Sequence, residues 1–315
     1  MFYKYALNYP VLSITLLLIL FTRPASAKSN EDNTYFNQNI DVRFQSNISS
    51  DKKEILRQWI NHSSDALTLV YGELPVDHFI TKIKFSKRDS GVVPWGEVSR
   101  NTIPEVTLVV NPKSTLNELK ADWTIYHEFS HLLIPYDAAD SRWFSEGLAS
   151  YYQNIIQARA GMFNESKMWQ KLYEGFERGR KDTKYNHQKL NYLSDNINQN
   201  HSYMRVYWSG ALYWLKADIA LRKLKSGYSL DKALHELHKC CFDRYLSAGE
   251  ITKQLDKLTN NNIFTSLFTE FSKSYILPKY MDDLNMLGIE QQAGRVILGN
   301  KAENSHIRRA IFTGK

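Results

Sequence analysis

The chain has 315 residues, enough to bury a sizeable core as one large domain or two small ones. Its 40 Lys and Arg against 33 Asp and Glu give a net charge of +7, dispersed along the chain with the densest patch at Glu177–Lys184, so a solvated helix end is expected there and no nucleic-acid partner. The two cysteines, Cys240 and Cys241, are adjacent, so no disulfide framework is implied; their Cα atoms sit about 3.8 Å apart, and bridging them requires an unusual, strained ring.

In chain order, residues 1–27 read as an export signal. Lys4 is the one early charge, Val11 to Phe21 is almost unbroken apolar sequence, and Ala25 to Ala27 offers small residues for cleavage after Ala27. Removing this segment takes away Lys4 and Arg23 and lowers the charge from +7 to +5. The apolar run is short for a bilayer span, and no later stretch approaches the roughly eighteen apolar residues such a span needs. The expectation is a periplasmic or secreted protein with no stable membrane span after cleavage, membrane-anchored only if the signal is retained. Asn47, Asn61, Asn164 and Asn200 each begin an Asn-x-Ser triplet, a glycan acceptor in a eukaryotic source.

Between Asn30 and about Ser46 the chain alternates and is polar, with a strand at Ile40–Phe44. Ile55, Leu56, Trp59, Ile60, Leu67 and Val70 keep helical spacing behind an Asp51 and Glu54 start, predicting a helix over 51–71. Three strand-like runs follow at 78–86, 91–99 and 105–111. Beyond Pro112 the character changes: Ser114 or Thr115 caps a helix running to Ile134, which Pro135 stops. Further helices are predicted at 142–160, 164–180, 203–226, 229–241, 248–258 and 262–275, with a polar connection at 181–202. After Pro278 no period is visible. The expected architecture is α+β: a strand-containing unit over 28–113, a helical unit over 114–278, and a tail over 279–315.

The stretch "YHEFSHLLIPYDAADSRWFSEGLASYY", Tyr126 to Tyr152, carries the chemistry. Residues four apart share a helix face, so His127 and His131 can aim their imidazoles at one metal ion, with Glu128 beside the metal rather than on it. A catalytic zinc site needs a third protein ligand, and Glu146, early on the next helix, is the natural one. The alternative for Glu146 is an ordinary first-turn glutamate favoured by the helix dipole. "HELHKCC" places His235, His238, Cys240 and Cys241 within seven residues, too close on one helix to wrap an ion, and reads as a surface helix end.

"HEFSH" followed by "WFSEGLASYY" resembles the gluzincin metallopeptidases, in particular the aminopeptidase N-like and glycyl aminopeptidase families. The resemblance implies a thermolysin-like catalytic core, one zinc per chain on His127, His131 and Glu146, and Glu128 as general base. The connection between the two blocks is shorter than in aminopeptidase N-like enzymes. "VYWSGALYWLKADIALR", Val206 to Arg222, is similar to the family segment whose tyrosine donates to the oxyanion, which carries that role onto Tyr207. Otherwise Tyr207 packs, and Gly210 allows close helix approach. The family's amine-gripping glutamate precedes a Trp-Gly pair. With Trp95 and Gly96 matched, that position falls on Val93 or Pro94; another register puts Glu97 there.

The implied function is an exported zinc metallopeptidase whose peptide or protein substrate lies along an edge strand near Trp95–Glu97. Its rivals are a peptide- or envelope-binding module on the same scaffold and a zinc hydrolase of non-peptide amides.

Overall fold

The computed structural model describes residues 33–37, 39–45, 48–88, 91–135, 141–224, 227–299 and 303–315. The proposed export signal at 1–27 and Asn47 lie outside these. Glu31–Lys315 cluster as one compact unit. Strands β1 (Asn33–Asn37), β2 (Ile40–Phe44), β3 (Phe79–Phe85), β4 (Trp95–Arg100) and β5 (Pro104–Val110) form one sheet in the order β1-β2-β3-β5-β4, with helix α1 (Ser50–Tyr71) inserted between β2 and β3. The β2–β3 and β3–β5 pairs are parallel and β4 runs antiparallel to β5. Helix α1 begins where expected, because the Ser49 side chain accepts from Lys52 N, and ends at Gly72, whose left-handed backbone (φ 84) glycine adopts freely.

Strand alternation gives the sheet two unlike faces. Val42, Thr81, Val106 and Val98 stand in register on one, as do Phe44, Ile83, Leu108 and Gly96. This face meets the helices: Phe79 packs edge-on against Phe129, ring centroids 5.3 Å apart. The other face carries charged residues such as Lys82 and Glu105, 2.7 Å apart.

The helix predicted over 114–134 is broken. Helix α2 (Leu116–Ala121) opens with a capping box between Thr115 and Glu118, and α3 (Thr124–Ser130) starts afresh after Asp122, whose carboxylate accepts from Thr124 N at 2.8 Å. A 3-10 turn, His131–Leu133, follows α3. Asp122 offers the backbone a local cap that competes with continuing the helix, and the apolar spacing on both sides hides it.

The rest is helical: α4 (Arg142–Arg159), α5 (Glu165–Lys181), α6 (Leu190–Asp195), α7 (Ile197–Asn200), α8 (Tyr203–Lys223), α9 (Leu230–Cys241), α10 (Ala248–Thr259), α11 (Ile263–Ser272) and α12 (Met281–Met286). The predicted polar connection at 181–202 thus contains α6 and α7. The tail holds α12, a hairpin of β6 (Ile289–Gln292) and β7 (Arg295–Leu298), and α13 (Ser305–Thr313), which packs on α4, α5 and α8. Helices α4 and α8 cross with almost no space between them. A Cβ on Gly147 would lie 2.2 Å from the Gly210 Cα, and one on Gly210 would lie 1.9 Å from the Trp143 carbonyl oxygen. The expected use of Gly210 for close helix approach is therefore seen.

Cys240 and Cys241 are joined in a disulfide between neighbours, against the steric expectation. Of the glycan candidates, Asn164 caps α5 by accepting from Lys167 N. Asn200 is buried, donating to Leu193 O and accepting from Ser202 N, which leaves no room for a glycan.

Candidate active site

The break after Asp122 fixes where α3 starts, and α3 packs against β4 and β5, so its buried face turns toward the free edge of the sheet. His127 lies mid-helix; His131 lies at the C-cap with helical backbone (φ -62, ψ -23), so the four-residue spacing survives the change to a 3-10 turn. Their rings stand 5.1 Å apart, edge to face. Helix α4 supplies Glu146 one turn past its start. Its Oε2 lies 3.1 Å from His127 Nε2 and 3.7 Å from His131 Nε2.

One donor atom from each of His127, His131 and Glu146 falls within 4.8 Å of the others, a grouping found nowhere else among the described residues. The three sequence-predicted ligands are thus brought together. His235, His238, Cys240 and Cys241 are not: His235 instead pairs with Glu73 at 2.8 Å. Two partners that sequence reasoning missed hold the imidazoles in place. Gln153 Oε1 lies 2.8 Å from His127 Nδ1, and Ser145 Oγ lies 2.9 Å from His131 Nδ1. Gln153 Oε1 can only accept, so His127 donates to it from Nδ1 and turns Nε2 toward the common point, the usual outer support of a metal-binding imidazole. Gln153 follows Glu146 by seven residues, two turns along the same face of α4, and that spacing was the available signal.

The donor set suits a divalent cation. Glu128 and Glu146 are carboxylates with no Lys or Arg ion pair among the described residues, set beside two neutral-type donors, and two imidazoles with one carboxylate form a recognised zinc ligand set. The local electrostatics follow from the same crowding. Burial pushes Glu128 up to about 7, with Glu146 and Glu97 adding to the rise and His127 opposing it. Burial alone would raise Glu146, but the His127 hydrogen bond, both imidazoles and Tyr207 outweigh it and bring its carboxyl down to about 2. Burial drives His131 down to about 4, with His127 and Arg100 in the same direction and Glu146 against. For His127 burial is outweighed by Glu146, Glu128 and Gln153, and its pKa rises.

Glu128 is buried against β4 and does not join the ligand group. A Cβ on Gly96 would approach its Cγ to 2.6 Å, so only glycine leaves room for this carboxylate at the sheet edge. Tyr207 comes from α8, one turn before the Gly147–Gly210 crossing. Its ring stacks on His127 at 5.9 Å, and burial and the nearby Glu146 carboxylate both raise its pKa. Arg100, at the end of β4, donates to the carbonyls of His131 and Ile134 and so ties the strand to the end of the metal-type helix.

His127, Glu128, His131, Ser145, Glu146 and Tyr207 line one cavity of about 670 Å³, walled on one side by β4 and bordered by the exposed rings of Trp95, Trp123 and Tyr203. Val93 is buried and its carbonyl accepts from Thr124 Oγ1 at 3.0 Å. Glu97 borders the cavity, but alternation sets it on the opposite sheet face from Gly96.

A family model of the M61 glycyl aminopeptidases matches residues 135–213, a segment containing Glu146 and Tyr207 but beginning just past His131. No curated protein sequence matches the chain. Among solved structures, 80% of the chain superposes on 48% of an aminopeptidase N family protein from Idiomarina loihiensis, with a TM-score of 0.60 and 16% identity. The chain shares the mixed α/β, mostly helical fold of that structure. The same arrangement covers 82% of the chain against 42% of native yeast LTA4 hydrolase, at a TM-score of 0.53 and 13% identity. The chain thus spans less than half the length of either structure. Among its described residues no helix is long and apolar enough to cross a membrane.

Proposed function

We propose that the protein is an exported zinc-dependent metallopeptidase, holding one zinc per chain on His127, His131 and Glu146 and hydrolysing peptide bonds with Glu128 as general base. The observation that carries this reading is the convergence of three supported donor atoms within 4.8 Å, with a separate carboxylate, Glu128, held on the wall of the same cavity. A bound zinc ion would supply Lewis acidity, polarising the scissile carbonyl and acidifying water beside it. Glu128 accepts one proton from the attacking water as its oxygen bonds to the carbonyl carbon and the C=O pair shifts onto oxygen. It then delivers that proton to the nitrogen as the C–N bond breaks, leaving a carboxylic acid and an amine. Tyr207, stacked on His127 in the same cavity, donates a hydrogen bond to the developing oxyanion.

The substrate backbone lies extended along β4 near Trp95–Glu97. As the terminal strand of its sheet among the described residues, β4 borders the cavity with an edge that suits strand addition. Metal analysis and a peptide-cleavage screen of the parent and Glu128→Gln test the reading together. The variant should keep its zinc and lose at least about 10²–10⁴ in rate, the usual worth of a general base. Near-parental turnover in a zinc-loaded Glu128→Gln protein would sink the assignment.

A further inference from the structure

Two arginines border the cavity, and they are in different situations. Arg100 is committed to the backbone carbonyls of His131 and Ile134. Arg142, the first residue of α4, is exposed and makes no hydrogen bond or ion pair among the described residues. This is unexpected from local sequence, because Glu146 follows it by four residues, the spacing at which Arg and Glu pair on a helix. Glu146 does not turn back to it; its Oε2 is drawn to His127 and His131 at 3.1 and 3.7 Å. The proposed metal position thus takes the partner Arg142 would have had. The remaining acids on the wall, Glu97 and Glu128, form no ion pair with it either.

A guanidinium left without a partner in a substrate cavity is a planar fork of donors matched to a carboxylate. Its reach follows from spacing. Positions four apart on a helix lie about 5–6 Å apart at Cβ. An extended peptide advances about 3.3–3.6 Å per residue. A scissile carbonyl placed at the His127–His131–Glu146 group therefore brings a carboxylate one or two residues along within range of Arg142. Arg100 being committed to the His131 and Ile134 carbonyls, Arg142 is the side chain that offsets Glu97, Glu128 and Glu146 for an anionic substrate group.

We propose that Arg142 is a specificity-determining residue that binds a substrate carboxylate one or two residues from the scissile bond. That carboxylate is either the C-terminus of a short peptide or an acidic side chain. The proposal rests on the peptidase reading for the placement of the scissile bond, but its test does not depend on turnover. The probes are tri-alanine, tri-alanine amide and Ala-Ala-Glu amide, titrated calorimetrically into the EDTA-treated full-length protein and its Arg142→Ala and Arg142→Lys variants.

The parent should bind a probe bearing a carboxylate at least about tenfold more tightly than tri-alanine amide, the range of one charge-assisted hydrogen-bond pair. Arg142→Ala should bring the ratio close to one, and Arg142→Lys should keep part of it. Preference for tri-alanine points to the chain terminus, and preference for Ala-Ala-Glu amide to a side chain. Equal or undetectable binding of all three probes by the parent, or a preference that survives in Arg142→Ala, overturns the proposal. An Arg142-dependent preference in a protein that cleaves none of the probes when zinc is restored would instead count against the peptidase reading.

Discussion

Helix α4 carries two buried charged clusters, and they are built on opposite principles. Toward its C-terminal half, Tyr151 and Tyr152 donate to Asp218 and Asp231 at 3.0 and 2.7 Å, Arg159 pairs with Asp231 at 2.9 Å, and Arg222 pairs with Asp218 at 2.8 Å. Two arginines meet two aspartates, Leu230 N donates to Asp218, and Arg159 also holds the Ile311 carbonyl of α13. Each buried charge is matched inside the fold, as a low-dielectric interior requires. Toward its N-terminal end, Glu146 joins Glu128 and two imidazoles with no ion-paired arginine or lysine among the described residues. The contrast teaches where to look for a missing cation: the self-neutralised cluster is architecture, and the cluster left one-sided is where local consistency has given way to function.

The largest expected effect breaks the first cluster. Asp218→Ala takes the acceptor from the Tyr151 hydroxyl and Leu230 N and leaves Arg222 with Asp231 at 3.6 Å, and should cost about 3–5 kcal/mol of stability by denaturant unfolding. A loss under about 1 kcal/mol would mean the network is not structural in this sense. Next is Tyr207→Phe, which keeps the ring stacked on His127 and removes only the hydroxyl. Turnover should fall about 10²–10³-fold with stability nearly unchanged, as for other oxyanion donors; an unaltered rate would return Tyr207 to a packing role. A smaller effect is expected from Gln153→Leu, which leaves His127 Nδ1 without its acceptor. Zinc affinity in a competition titration should weaken about 10–100-fold, the range for such outer supports, and parental affinity would show that Gln153 does not orient the ligand.

What the sequence made legible is what local spacing encodes. His127 and His131 fall four apart on a helix and Glu146 early on the next, so the ligand trio needed no tertiary information beyond two adjacent helices. Gln153 was legible in principle, seven residues past Glu146, but a glutamine in an aromatic-rich helix raises no chemical flag. Arg100 and Arg142 gain meaning only from packing: Arg100 because β4 ends beside the His131 carbonyl, Arg142 because Glu146 is drawn elsewhere. Asp218 and Asp231 read as ordinary helix-surface acids until α4, α8 and α9 are brought together. The tail after Pro278 was illegible for another reason. Its apolar residues are divided among α12, the β6–β7 hairpin and α13, each too short to establish a period.

The account stands on one cation completing the N-terminal cluster of α4. Thermal unfolding of the EDTA-stripped full-length protein and of Glu146→Gln, each with and without added zinc, tests this most directly. At zinc one-hundredfold above its dissociation constant, the parent should gain about 2.7 kcal/mol and a raised Tm. Glu146→Gln should gain little, because the carboxylate donor of the proposed site is gone. A parent protein whose unfolding is indifferent to zinc, or a Glu146→Gln variant stabilised by zinc as strongly as the parent, would contradict it.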